Sequence, residues 1–213
     1  MKTKPSALIS RLGQALIVAT MFAAFPMVGA EAATGVATET NAEPKWSGHF
    51  SYVVGYKRME ENWNPARNQV DVGVLDFDIK RSHWPVSIAG EFLLSYVDSR
   101  PALPGFRGDN SGTYEFNLGP RKIFENSSAL HQFLGAGLSV IGGSTSTAVW
   151  WDNILEDGDT SVGYYVEGGL YWHLGKKWHL GIRGEYSSAS ITLFGTKLDA
   201  GGIHGMLMIG ARC

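Results

Sequence analysis

Most residues able to do chemistry in this chain are charged groups set at every second position in apolar surroundings. Asp76, Asp78, Glu91, Glu115, Glu167 and Glu185 occupy such stretches with Arg121, Arg183 and His204, and Lys57 and Arg212 are further candidates. Acids and bases in an apolar setting must neutralise one another, because an unpaired buried charge is costly. The first expectation is therefore an ion-paired network, with a proton or ion path as the alternative use of the same groups. A second constellation is His204 with Ser187 or Ser188 and Glu185, the ingredients of a base, a nucleophile and an orienting acid. Its plain alternative is a histidine held by hydrogen bonds. The third is the stretch 142–160, GGSTSTAVWWDNILEDGDT. Trp150 and Trp151 make it apolar where a connection should be polar, which marks either a contact site for a ligand or partner, or a lid over the molecule. Glu156, Asp157 and Asp159 follow without EF-hand spacing, so no metal is expected there.

These groups need a scaffold that holds alternate residues on one side. From Trp46 onward the pattern has period two, the mark of strands. In 46–57, Trp46, Phe50, Tyr52, Val54 and Tyr56 share one face, and Ser47, His49, Ser51 and Lys57 carry the polar character. In 178–187, Trp178, Leu180, Ile182 and Tyr186 oppose His179, Arg183, Glu185 and Ser187. Six further runs cover 69–80, 86–97, 112–123, 130–141, 161–172 and 201–212. Val74-Leu75 interrupts the alternation in the first of these six, which predicts a β-bulge. The connections RSHWP, FENSSA and HLGKK are short, whereas 58–68, 98–111, 142–160 and 188–200 are long. Strict alternation of short and long predicts an all-β fold, a closed eight-stranded antiparallel up-and-down barrel with its elaboration at one end.

A soluble ligand-carrying barrel and a transmembrane barrel share that topology, and the direction of the apolar face separates them. Aromatic residues stand at both ends of the apolar faces. Trp46, Trp172 and Trp178 mark the short-turn end, and Tyr56, Tyr96, Tyr114, Tyr164 and Tyr186 the long-loop end. The spans 164–172 and 178–186 each correspond to about 26 Å of strand at ~3.3 Å per residue. Tilted by ~40°, such a strand rises about 20 Å, close to the ~25 Å apolar band of a transmembrane barrel. Two aromatic girdles at that separation suit two membrane interfaces. Lipid then lies outside, the charged network lines the lumen, and short periplasmic turns oppose long extracellular loops. Closure is required as well, since a sheet edge facing lipid would leave backbone groups unpaired. Gly135, Gly137, Gly163 and Gly169 fall on lumen-facing positions, where a narrow interior needs small residues beside large ones.

The first 32 residues read as a signal peptide: Lys2, Lys4 and Arg11 precede the apolar run ALIVATMFAA and small residues suited to cleavage. Residues 33–45 read as a disordered lead-in, and 46–213 as the barrel. Without the leader, 15 Lys/Arg stand against 19 Asp/Glu, a balance that gives no reason to expect nucleic acid as a partner. One cysteine excludes an intrachain disulfide framework and a thiolate zinc site. No cofactor is expected.

The architecture over 46–213 resembles the small outer-membrane β-barrel proteins of Gram-negative bacteria, the class holding the OmpA, OmpX and OmpW barrels. GYKRMEENW (55–63), YSSASITLFG (186–195) and AGGIHGMLMIG (200–210) are similar to segments of the outer membrane protein β-barrel domain family. The resemblance implies a cell outer-membrane location, outer-membrane lipids as surroundings and the barrel-assembly machinery as a partner. That machinery reads a terminal Phe or Trp in the class, whereas Arg212-Cys213 stands here. The family implies no reaction. The expected function is non-enzymatic, a structural or surface-interaction role carried by the extracellular loops, with an unidentified extracellular ligand. A lipid A acyltransferase or deacylase is the alternative, although the His-x-Ser-Asn stretch of such deacylases is absent. A narrow channel for small apolar molecules is a third reading.

Overall fold

The computed structural model describes residues 46–63, 66–99, 109–124, 130–150, 153–175 and 177–212. The expected leader and lead-in, and Cys213, lie outside them. Strand β1 (Trp46–Arg58) leads through a single 3-10 turn (Glu61–Trp63) to β2 (Asn68–Arg81), β3 (Ser87–Ser99) and β4 (Asp109–Phe124). The long strands β5 (Leu130–Trp150) and β6 (Asn153–Leu174) follow, then β7 (Trp178–Ser188), two short strands β8 (Ser190–Leu193) and β9 (Thr196–Asp199), and β10 (Gly202–Arg212). Eight of these strands close an antiparallel barrel in the order β1-β10-β7-β6-β5-β4-β3-β2, and β8 and β9 form a separate hairpin. Closure runs from His49 opposite Arg212 to Arg58 opposite Ile203, so neither the first nor the last barrel strand leaves an open edge.

The alternation of burial follows the alternation of residue type. Along β7 every second residue is buried, with His179, Arg183, Glu185 and Ser187 inward and Trp178, Leu180, Ile182 and Tyr186 outward. Exposed Tyr52, Val54, Val72, Ile88, Leu118, Leu138, Val166, Leu207 and Ile209 continue the outer band around the barrel. A soluble monomer rarely leaves more than a few hundred Å² of contiguous apolar surface in water. A belt encircling the molecule is the surface of a transmembrane barrel, where lipid covers it. Trp46, Trp172 and Trp178 are exposed at one end of the belt, and Tyr56, Tyr96, Tyr114, Tyr164 and Tyr186 at the other.

The pairing of β2 slips between Gly73 and Leu75, which places the bulge at Val74-Leu75. It reverses the phase of the strand: Asp71 and Gly73 face inward before it, Asp76 and Asp78 after it.

Two of the long connections are not loops. Residues 142–150 and 153–160 continue β5 and β6, which stay paired from Leu130 opposite Trp172 to Trp150 opposite Asn153. Here Gly142, Gly143 and Ser146 are buried, Gly143 against Ile191 of the β8–β9 hairpin, with no apolar side chain of their own, so the sequence loses the alternation that identifies a strand. The stretch 188–200 holds the β8–β9 hairpin, turned at Phe194 and Gly195, both with positive φ (49° and 75°). Arg212 is exposed rather than turned into the lumen network.

Two apolar clusters fill the interior. Val53, Leu93, Ile123, Phe133, Tyr171, Met206 and Met208 pack in the middle and towards the short turns. Met59, Trp63, Ile141, Ala189, Ile191, Leu193 and Ala200 close the long-loop end, with Leu198 against them.

Candidate functional site: a charged lumen under an apolar lid

Neighbouring strands deliver the charged side chains in register. Glu91 stands opposite Asn117, Glu167 opposite Glu185, and His204 opposite both Glu185 and Lys57. Two arginines organise the middle of the lumen. Arg121 donates from Nε to Glu167 Oε1 (2.8 Å) and from Nη2 to Glu167 Oε2 (3.0 Å) and Asp76 Oδ1 (2.8 Å). Its Nη1 lies 3.6 Å from Asp78 Oδ2, and the guanidinium carbon sits 5.1 Å from the centre of the Phe133 ring. Arg183 donates to Glu91 and, at 3.0 Å, to Glu185 Oε2. Its Nη1 lies 3.6 Å from Asp76 and 3.4 Å from Glu167, so the two arginines share both acids. Asn117 Nδ2 joins the halves, donating to Glu185 (2.7 Å) and Glu91 (3.4 Å). The forked, planar guanidinium suits such shared carboxylates better than a lysine would. Gly135 makes room for the network, because a Cβ there would stand 2.4 Å from Glu167 Oε1.

A second group lies nearer the long-loop end. Lys57 Nζ donates to Glu115, to Thr113 Oγ1 (2.9 Å) and to the Ala200 carbonyl (2.7 Å). His204 Nδ1 lies 2.6 Å from Asp71 Oδ2, and its Nε2 lies 3.2 Å from Ser187 Oγ and 3.5 Å from Glu115 Oε1. Ser95 donates to the other oxygen of Asp71. Acid, imidazole and hydroxyl thus line up as a relay, but the orienting acid is Asp71. Glu185, expected in that place, is engaged by Arg183 and Asn117. Asp71 stands before the bulge expected at Val74-Leu75, which puts it on the same face as Asp76 and Asp78, although it is not among the expected lumen residues. Ser187, His204 and Asp71 are all buried, and the apolar cluster of the lid covers that end. Glu115, Glu185 and His204 bring ligand atoms within 4.8 Å of one another. Lys57 and Arg183 already bind the two carboxylates, so the charge that a cation would supply is in place.

The lid is tied down by acids. Asp159 Oδ2 accepts the Thr192 amide (2.7 Å) and Oδ1 the Thr160 amide (2.8 Å), while Asp157 Oδ2 accepts the Phe194 amide (2.5 Å). The Thr192 and Thr160 amides beside Asp159 hold its carboxyl below the usual carboxylate range. Asp199 accepts the Ala189 (3.0 Å) and Gly201 (2.8 Å) amides at one oxygen and the Ser188 hydroxyl (2.5 Å) at the other. Trp63 Nε1 donates to the Asp199 carbonyl (2.7 Å) from below the hairpin. The cover over the barrel mouth is therefore built by β8, β9 and Trp63. Trp151 and the side chain of Trp150, the expected contact residues, lie outside the described residues.

At the opposite end the lumen holds a small recess of about 10 Å³, open towards solvent. His49, Ser51, Asp78, Arg121, Ile123, Phe133, Tyr171, His179 and Met208 line it.

No protein-family model matches the chain, and no curated protein matches it. Solved structures do. The structure is similar to that of Neisserial surface protein A, with 14% identity, 78% of this chain and 95% of that chain covered, and a TM-score of 0.52. It is similar to Ail, the attachment invasion locus protein of Yersinia pestis, with 14% identity, 80% and 99% covered, and a TM-score of 0.51. A second structure of Ail, in complex with the heparin analogue sucrose octasulfate, matches at 12% identity over 80% and 99% of the chains, with a TM-score of 0.51. At these identities the likeness shows the fold, that of a small outer-membrane β-barrel.

Proposed function

We propose that this chain is a non-enzymatic integral outer-membrane protein that works through its long-loop face, with a lumen that carries no traffic. One observation carries the reading. The interior is occupied from wall to wall by the Arg121 and Arg183 network and closed above by the lid cluster, which leaves the outward hairpins as the accessible surface. Eight strands enclose an interior that side chains can fill, in contrast to the aqueous channels of wider barrels. Trp46 and Arg212, where the first and last barrel strands begin and end, fall on one side of an even-stranded barrel, so export through a cleaved leader would put the short turns in the periplasm and the β5–β6 hairpin outside. Outer-membrane lipids and the assembly machinery are the partners this location implies. The sulfated sugar analogue bound by Ail is not carried over, because the exported chain is net acidic and would repel a polyanion.

Cells displaying the full chain should be retained on an array of matrix proteins and glycans more strongly than cells lacking it. Shortening the β5–β6 hairpin to a tight turn after Ser144 should abolish the difference while the barrel remains folded. Equal retention of all three would remove the surface role. In planar bilayers the purified protein should show no steady conductance, and open-channel steps would remove the closed lumen.

A second reading, a lipid-modifying enzyme, is favoured by the Asp71–His204–Ser187 relay. Labelling of Ser187 by a fluorophosphonate probe, together with altered lipid A acylation in cells expressing the chain, would establish it over the first.

A further inference from the structure

His49 and His179 line the recess at the short-turn end and belong to a group of imidazoles apart from the arginine ion pairs. His49 on β1, His131 on β5, His173 on β6 and His179 on β7 stand together, with Tyr171 among them. Ring centres are 5.5 Å apart for His49 and His179, 6.2 Å for His49 and His173, and 4.6 Å for His131 and His173. Two imidazoles bound to one tetrahedral ion at ~2.0–2.1 Å have ring centres roughly 5 Å apart, so these spacings bracket the value for a shared ion.

The hydrogen bonds point the same way. His49 Nδ1 lies 3.1 Å from Asp78 Oδ1, which fixes the ring and leaves Nε2 as its ligand nitrogen. A carboxylate behind an imidazole is the usual support of a metal-binding histidine. His179 Nε2 lies 2.8 Å from Ser51 Oγ, and its Nδ1 has no hydrogen-bond partner although the residue is only 1% exposed. A buried ring nitrogen without a partner is costly, and it lines the recess. Gly210 keeps this ring in place, since a Cβ there would stand 2.6 Å from both Cε1 and Nε2 of His179.

We propose that the short-turn mouth binds a divalent transition-metal ion of the zinc, nickel and copper class. His49 Nε2 and His179 Nδ1 are the principal ligands, and His173 is the third. Imidazole nitrogen selects this class over calcium or magnesium, which take oxygen. The three rings do not yet converge: in the described rotamers only Glu115, Glu185 and His204 meet within 4.8 Å. His173, with its ring centre 6.2 Å from that of His49, would have to turn to join them, and the χ2 torsion of histidine is soft.

The test uses tag-free refolded protein titrated with Zn²⁺ by calorimetry and with Co²⁺ by absorption. The wild type should bind one ion and give the visible bands of a tetrahedral nitrogen-bound Co²⁺. His49→Gln and His179→Gln should each weaken binding at least tenfold. Asp78→Asn, which leaves every ligand in place, should weaken it by roughly 10–100-fold, the usual effect of losing a supporting carboxylate. His83→Gln, at an exposed turn residue, should change nothing. Heat-modifiable migration on gels confirms that each variant is folded. Zn²⁺ affinity that is unchanged in a folded His49→Gln/His179→Gln double variant overturns the proposal, as does binding that only His83→Gln removes.

Discussion

Lys57 and Glu115 show most simply how single residues sustain this interior. Each side chain has 0% exposure, and the lysine has no other carboxylate partner among the described residues. Replacing Lys57 by Met leaves Glu115 charged and buried, at a cost of roughly 3–5 kcal/mol. The double variant Lys57→Met/Glu115→Gln removes the stranded charge and should regain most of that loss. Urea unfolding in lipid vesicles measures both, and equal losses in the single and double variants would show the pair to be uncoupled. The sequence exposes such residues because a charge at every second position of an apolar strand has only the lumen to occupy. It does not expose which charges meet. Glu185 lies directly opposite His204 across the ladder, yet its carboxylate turns to Arg183 and Asn117, while His204 reaches past β1 to Asp71 on β2. That choice depends on strand stagger around a closed cylinder, a long-range quantity no local pattern encodes.

Among the elements, the β8–β9 hairpin depends on carboxylate tethers from its neighbour β6. Asp159 titrates below its ordinary value of 3.8 in the folded protein because the Thr192 and Thr160 amides bond the charged form. A depressed folded value means that the tether is fully present above the ordinary value and is lost as pH falls through the folded one. Hydrogen-exchange protection of the Thr192 amide should therefore hold at about pH 5 and collapse well below pH 3.8. Asp159→Asn should show weakened protection already at neutral pH and no acid step, and a wild-type protection factor that ignores pH would refute the tether. Four-residue strands are too short to establish a period, so their pattern does not distinguish this hairpin from a loop. Only its turn, Phe194-Gly195, carries a local signature. The outer halves of β5 and β6 are illegible for the opposite reason: they are long, but Gly142, Gly143 and the following Ser/Thr residues offer no apolar face. Inside the membrane the solvent imposes alternation, so strands there were legible to within a few residues.

Taken whole, a closed barrel with every wall strand paired should resist detergent until heated, so the unheated protein should migrate faster on gels than the heated one. Identical migration after proper refolding would contradict closure. Orientation is tested in a Cys213→Ser background, which removes the only native thiol. Cysteine replacing Lys197, exposed on the lid hairpin, should react with an impermeant thiol reagent on intact cells. Cysteine replacing Lys177, exposed in a short turn, should react only after the outer membrane is opened. The reverse pattern would invert the topology and with it the surface role. The rim of this barrel is also uneven. β5 and β6 climb eleven residues past Tyr164 to Asn153, about 36 Å of strand at ~3.3 Å per residue, whereas β7 stops at Ser188 and the lid lies low beside it. The molecule has a prow. Among the described residues that flank stands highest, so an encounter with it has a compass bearing in the membrane plane, and two copies turned differently present different silhouettes to the same visitor.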